Sequence, residues 1–330
     1  MSMQMSALAL VIRDTMTGVE FEPSSDAHAT QCGLDQGQII ASHGLPSFWL
    51  DWCSTMKLVS GSDHRRDAAF MTYVYAVVSR RAGGISIGVN LNPNNACNWR
   101  CIYCQVPGLA RGAPPAVDLH QLGSELRSML ESIDARSATA QSNHVEDVAF
   151  SGNGESTLSP MFAPAVVVVR DVLRDLRMSG TTKLRLITNG SRVLHPGVQE
   201  GLRAIAEEQG EVWFKVDGGS REAIRRANDV DLSTQGVSRR LAICAGLVPT
   251  WVQTCVFSLD GVIPGEAWLR DYLALLDAAG PARLKGVLLY GIARPSMQPE
   301  ANRLSRLSVD QLEHVASAIR EAGLTVRVSP

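Results

Sequence analysis

The chain has 330 residues, 45% of them hydrophobic and 19% charged, with 31 Lys plus Arg against 33 Asp plus Glu. That composition buries the core of one large or two small domains and excludes disorder and coiled coil. No apolar run reaches the ~18 to 20 residues of a bilayer crossing, and residues 7–12 stop at Arg13-Asp14 with no basic stretch ahead of them, so a cytoplasmic chain without a membrane partner is expected. The net charge of −2 gives no overall attraction to DNA; any RNA partner needs a local patch, for which the arginine pairs at 65/66, 80/81, 225/226 and 239/240 are the candidates.

Residues 1–72 show no clear period and are read as an N-terminal extension. From 73 onward short apolar runs alternate with amphipathic stretches, the signature of βα units around a parallel sheet. Strands are expected over 85–91, 147–152, 183–189, 211–217, 250–258 and 284–292, and helices over 118–133, 160–176, 196–209, 220–227, 236–245 and 265–279. Six such units need ~190 residues by the proportions of a closed eight-unit barrel, and the roughly 210 available fit with modest loops. The fold class is therefore α/β, a partial (β/α)6 TIM-like barrel over 73–300. A last helix, 308–322, and strand, 324–328, make a C-terminal segment, 301–330, packing on it.

Several strands alternate polar with apolar residues. Ser86, Gly88 and Asn90 interleave with Ile85, Ile87 and Val89, and Trp213, Lys215 and Asp217 interleave with Val212, Phe214 and Val216. One face of the sheet thus looks away from the helices. In barrels that polar face, near the C-terminal strand ends, is where chemistry sits.

Seven cysteines are too few for a disulfide scaffold, and three of them stand together as Cys97-Asn98-Trp99-Arg100-Cys101-Ile102-Tyr103-Cys104. Two further cysteines at fixed offsets have a chance of about 0.003 at this composition. The cluster directly follows the first expected strand. Three thiolates can hold three irons of a cubane [4Fe-4S] cluster and leave the fourth iron open, unlike a four-cysteine electron carrier. A non-catalytic iron-sulfur or zinc protein is the competing reading, although zinc prefers four closed ligands and the nearest histidine, His120, is 16 residues beyond Cys104.

This C-x3-C-x2-C loop, with the aromatic Tyr103 before its third cysteine, resembles that of the radical S-adenosylmethionine (SAM) superfamily. The resemblance implies a radical SAM barrel in which Cys97, Cys101 and Cys104 carry a [4Fe-4S] cluster, SAM chelates the open iron, and an electron from a flavodoxin- or ferredoxin-class donor releases a 5′-deoxyadenosyl radical that abstracts hydrogen from a substrate. Ser151-Gly152-Asn153-Gly154-Glu155 resembles the superfamily's Gly-Gly-Glu motif with Asn153 inserted, which implies that Glu155 and its neighbours hold the SAM ammonium. By the same resemblance Asn189, Lys215 and Asp217 would meet the SAM carboxylate or ribose. Gln253 faces the cofactor from the fifth strand.

A narrower resemblance runs from Ser79-Arg80-Arg81 through Gly88-Val89-Asn90-Leu91-Asn92-Pro93 to Cys101-Ile102-Tyr103-Cys104-Gln105. It is similar to the radical SAM group containing the wyosine tRNA-base synthases and many bacterial Fe-S oxidoreductases, which makes tRNA-base modification one alternative and a small molecule or peptide substrate the other. Only Cys32 and Cys53 lie upstream, too few for the second cluster of that group. Cys255, Tyr290 and Arg294, near the last strand ends, are the candidates for contact with substrate, the first two as hydrogen-atom donors or acceptors and the third as an anion clamp.

Overall fold

The computed structural model describes residues 71–79, 83–137 and 144–329. The expected extension over 1–72 therefore lies almost wholly outside the described residues, as do Cys32, Cys53 and the arginine pairs at 65/66 and 80/81. In chain order the elements are β1 (Val74–Ser79), β2 (Gly84–Val89), β3 (Ala96–Cys97), β4 (Ala110–Arg111), α1 (Leu119–Ser137), β5 (Val145–Phe150), α2 (Phe162–Asp175), β6 (Lys183–Thr188) and α3 (Pro196–Glu207). There follow β7 (Glu211–Lys215), α4 (Arg221–Asn228), α5 (Thr234–Leu247), β8 (Thr250–Cys255), β9 (Ser258–Leu259), α6 (Glu266–Ala279), β10 (Leu284–Tyr290), β11 (Leu304–Ser305), α7 (Val309–Glu321) and β12 (Val326–Ser329).

Eight strands form one sheet in the order β1-β2-β5-β6-β7-β8-β10-β12. Every neighbour from β2 to β12 is parallel, and β1 folds back antiparallel on β2. Six βα units are thus present as the period predicts, with an additional strand at each edge. The last strand, β12, continues the sheet in register beside β10, from Val287↔Val326 to Tyr290↔Ser329. β1 was not expected, because its run Val-Tyr-Ala-Val-Val-Ser adjoins a stretch without any period. The expected strands also run two to three residues past their true ends at 147–152, 211–217, 250–258 and 284–292, since the polar residues that follow belong to the site loops.

The two faces of the sheet differ by residue parity. Outward-facing Ile87, Val89, Val148, Phe150, Leu184, Leu186, Val212, Phe214, Val252, Val287 and Leu289 pack into one core with Leu126 of α1, Val169 of α2, Leu202 of α3, Leu241 of α5, Leu276 of α6 and Leu312 of α7. Each fully buried side chain of this kind contributes about 1.5 to 3 kcal/mol, enough to fix which face every strand turns outward. Serine caps start the helices that follow: Ser220 accepts from the backbone N–H of Ala223 at α4, and Ser308 with Gln311 forms a reciprocal capping box at α7.

The inward face carries charge. Arg185 of β6 donates through Nη1 to Asp147 of β5 and through Nε to Glu211 of β7 at 2.8 Å, while Ser86 of β2 donates to Asp147. The indole N–H groups of Trp213 and Trp251 reach the two Glu211 oxygens at 3.0 and 3.3 Å, and the Arg185 guanidinium lies 4.8 Å from the Trp213 ring centre. Burial pushes the Asp147 carboxyl up despite Arg185 beside it. Burial acts the same way on Glu211, but there the guanidinium outweighs it and holds the carboxyl below its ordinary range.

Arg185 thus lies between the two buried carboxylates of this network, with Lys183 at its outer edge 3.9 Å from Glu211. Arg185→Met is expected to cost about 3 to 5 kcal/mol at neutral pH, because it leaves Asp147 without its cation and Glu211 with only the outlying Lys183. The buried carboxyls would then bind protons at a higher pH than their unfolded counterparts, so the variant's stability should recover as the pH falls toward 5. Denaturant titrations of both proteins at pH 7.5 and 5 measure it; a variant whose deficit is unchanged at pH 5 contradicts the pairing.

Candidate active site

The loop after β2 is shaped by asparagines. Asn90 Oδ1 accepts from the backbone N–H of Asn92 at 3.0 Å and of Asn153 at 3.1 Å, and Asn92 Nδ2 donates to the carbonyl of Ala96 at 3.0 Å. This brings Cys97 to the end of the sheet. The rest of the cysteine loop is held from two sides. On one, the carbonyls of Asn228 and Ala227, at the C-terminal end of α4, accept from Arg100 at 3.2 Å and Ile102 at 2.9 Å. On the other, Ser296 Oγ donates to the carbonyl of Ile102 at 2.7 Å, Met297 donates its N–H to the carbonyl of Cys104 at 2.9 Å, and Gln298 Nε2 donates to the carbonyl of Val106 at 3.1 Å. Arg100 makes a two-pronged ion pair with Glu300 at 2.8 and 2.9 Å and a further one with Asp229 at 2.9 Å.

Opposite lies the glycine loop after β5. At Gly154 a Cβ would stand 2.0 Å from the carbonyl oxygen of Ala96, so only glycine lets this loop press on the cysteine loop. Glu155 is 3% exposed, and its carboxylate accepts from Thr157 N–H at 3.2 Å and Oγ1 at 2.5 Å, from Thr188 Oγ1 at 2.7 Å and from Asn189 N–H at 2.6 Å. Burial raises its pKa. Both carboxylate oxygens are thus engaged by the protein, and Glu155 ties the end of β5 to the end of β6.

Lys215 ends β7 with its ammonium 3.2 Å from the Tyr290 hydroxyl and 5.0 Å from the Tyr103 ring centre. Burial acts against its charge, but the Tyr290 oxygen, Asp217, Cys101 and Cys255 outweigh it and keep it protonated well past its ordinary range. Asp217 accepts from the Tyr103 hydroxyl, from Asn228 Nδ2 at 2.7 Å and from the backbone N–H of Cys255 at 2.9 Å. Burial pushes the Cys97 thiol up to about 11 and the Cys101 thiol up to about 12.

One cavity of about 550 Å³ runs along the inner face at these strand ends, within the ~300 to 1,000 Å³ of small-molecule sites. Cys97, Cys101, Tyr103, Cys104, Gly152, Asn153, Gly154, Glu155, Asn189, Lys215, Gln253, Cys255, Tyr290 and Arg294 all line it. Asp217 does not; it stands behind Tyr103 and Cys255, and its carboxylate is used up by three protein donors. Among the described residues no three His, Cys, Asp or Glu side chains converge closely enough for a single metal ion. The three thiols share a cavity wall instead, an arrangement that suits donors to separate irons better than a zinc knuckle.

Ser86 and Trp213, on the polar strand face that the alternation marks, line the floor of the cavity together with Asp147, Arg185 and Tyr75 of β1, which were not anticipated. Counting back in twos from Asn189 through Ile187 reaches Arg185, and from Lys215 reaches Trp213, so parity alone carried the signal. Asn228, Ser296, Gln298 and Glu300 had no such signal, since loops and helix ends have no fixed period.

No protein-family model matches the chain. It is 25% identical over 158 residues to a UPF0026 protein of Methanocaldococcus jannaschii, covering 48% of this chain and 44% of that one. It is 21% identical over 215 residues to the GTPase Obg of Brachyspira hyodysenteriae, covering 63% and 28%. The chain thus spans less than half the length of both curated relatives. Among solved structures it is similar to a radical SAM methyltransferase from Sphaerobacter thermophilus, with a TM-score of 0.51 and 14% identity over 75% of this chain and 66% of that one. The likeness is one of fold: the two share a partial α/β barrel, to which the parallel sheet and outer helices described above correspond. No helix among the described residues is long and apolar enough to cross a membrane.

Glu155→Ala would strip the partner from two buried backbone N–H groups and two threonine hydroxyls. A loss of about 3 kcal/mol is expected in the protein free of any cofactor, from groups left unsatisfied. Thermal unfolding of the apo protein measures this, and an unchanged melting temperature contradicts it.

Proposed function

We propose that this chain is a radical SAM enzyme carrying one [4Fe-4S] cluster on Cys97, Cys101 and Cys104. The observation that carries the reading is the placement of three thiols from one loop, a glycine loop and a buried ammonium around a single cavity at the C-terminal ends of parallel strands. When bound, cluster and SAM together supply a 5′-deoxyadenosyl radical for hydrogen abstraction, given an electron from an external flavodoxin- or ferredoxin-class donor.

The chain's own residues orient and enclose. Gly152, Asn153 and Gly154 line the cavity beside the cysteine loop, pressed against Asn90, Asn92 and Ala96, and their backbone carbonyls are the acceptors for the SAM ammonium, because the Glu155 carboxylate is already occupied. Lys215 offers a charge-assisted donor to the SAM carboxylate, and Asn189 and Gln253 offer amides to the ribose. Asp217 acts from behind, fixing Tyr103. Cys255 and Tyr290 are placed to exchange a hydrogen atom with substrate, and Arg294 to hold an anionic group of it.

The charge-paired floor of Ser86, Asp147 and Arg185 supports a polar small molecule or peptide side chain as substrate. The arginines of α4 and α5, Arg225, Arg226, Arg239 and Arg240, do not line the cavity. A gel-shift titration with bulk tRNA at 50 and 200 mM salt is therefore expected to show only weak binding. A salt-dependent shift at micromolar protein would turn the reading to tRNA-base modification.

Anaerobic reconstitution should give about four irons and four sulfides per chain. With dithionite and SAM it should release 5′-deoxyadenosine and methionine, and any one of Cys97→Ala, Cys101→Ala or Cys104→Ala should abolish the release. Full iron loading and SAM cleavage in the triple variant would overturn the assignment.

A further inference from the structure

The three cysteine sulfurs do not meet the same surroundings. Cys97 Sγ accepts from the backbone N–H of Trp99 at 3.4 Å, a donor that no side-chain change short of proline removes. Cys101 Sγ accepts from a side chain: Asn228 Nδ2, at 3.2 Å. Asn228 is 1% exposed, and the same nitrogen donates to Asp217 at 2.7 Å.

We propose that Asn228 sets the reduction potential of the cluster through its N–H···S hydrogen bond to Cys101. The proposal rests on the cluster reading above. The amide has two hydrogens and two acceptors, one a sulfur that ligates iron as thiolate and the other a carboxylate. Turning the amide over would set its oxygen against both, so its orientation is fixed by its neighbours. The helix end fixes its position as well, since the backbone carbonyls of Ala227 and Asn228 are bonded to Ile102 and Arg100 of the cysteine loop itself.

Reduction adds one electron to the cluster and spreads negative charge onto its thiolate sulfurs. A donor aimed at such a sulfur stabilises the reduced form more than the oxidised form and raises the potential. Two charges also lie near Cys101, Lys215 and Asp217, and they act on it with opposite signs. The N–H of Asn228 differs from these in being a directed hydrogen bond to the sulfur itself, supplied by a residue that lies 127 positions from Cys101 in sequence and is no metal ligand. Asn228 is in this sense a positioning and tuning residue that acts through Cys101.

The experiment is an EPR-monitored redox titration of the anaerobically reconstituted full-length protein, wild type against Asn228→Leu and Asn228→Ser, at matched iron and sulfide content. Asn228→Leu removes the donor at similar volume. Asn228→Ser is too short to reach the sulfur but keeps a small polar side chain at this buried position, and so guards against loss of folding in the first variant. Both should shift the midpoint to more negative potential. A tenfold fall in the ratio of reduced to oxidised cluster at the wild-type midpoint is expected, which is about 59 mV for one electron. An Asn228→Ser protein with a full cluster and the wild-type midpoint overturns the role of Asn228 and leaves the cluster reading standing. A wild-type protein that takes up no iron and sulfide overturns the cluster reading instead.

Discussion

The carboxylate of Asp217 joins three parts of the chain at one point: the cysteine loop through Tyr103, the end of α4 through Asn228, and the end of β8 through Cys255. A buried carboxylate is tolerable only with its lone pairs occupied, so the charge compels these donors to converge. Tyr103 then lies with its ring beneath the Lys215 ammonium, and Cys101 lies against Asn228. Much of what gives the cavity wall its shape is thus a consequence of one charge placed just outside it.

Depth in the cavity separates two kinds of polar group. At the floor, Asp147, Arg185 and Glu211 satisfy one another and the flanking indoles, which makes a stiff, nearly self-contained base. At the rim, the Lys215 ammonium donates to one hydroxyl beside two aromatic faces, with Asp217, Cys101 and Cys255 near it, and the glycine loop lines the cavity over Asn90 and Asn92. Groups already engaged define shape, whereas groups with capacity to spare define affinity. The rim is therefore where a charged ligand gains most, and the floor is where its outline is tested.

The fold was legible because it rests on period. Alternation in β2 and β7 distinguished inner from outer face, and the spacing of six βα units gave an open barrel. The cysteine loop was legible because its three thiols stand close together in sequence, and all three line the cavity. What parity could not convey was which polar groups would be used up by neighbours. Glu155 and Asp217 read alike, as carboxylates at strand ends, yet Glu155 borders the cavity with both oxygens engaged and Asp217 stands behind the wall. That outcome depends on Thr157, Thr188, Asn189 and Tyr103 arriving from separate segments. The clamp over residues 296–300 was invisible for the same reason.

That clamp has a bearing on how the protein comes into being. Arg100 and Glu300 are 200 positions apart, and Ser296 is 194 from Ile102. Such contacts bind only after nearly the whole chain is available, and closing loops of this length makes them among the slowest to form. While a ribosome is still making β6 and β7 the cysteine loop lacks both of its supports, and through β8 it still lacks the second. The cysteine loop therefore reaches its native geometry only once the segment beyond β10 has been made, so that a truncated or stalled chain has the three thiols but no finished socket around them.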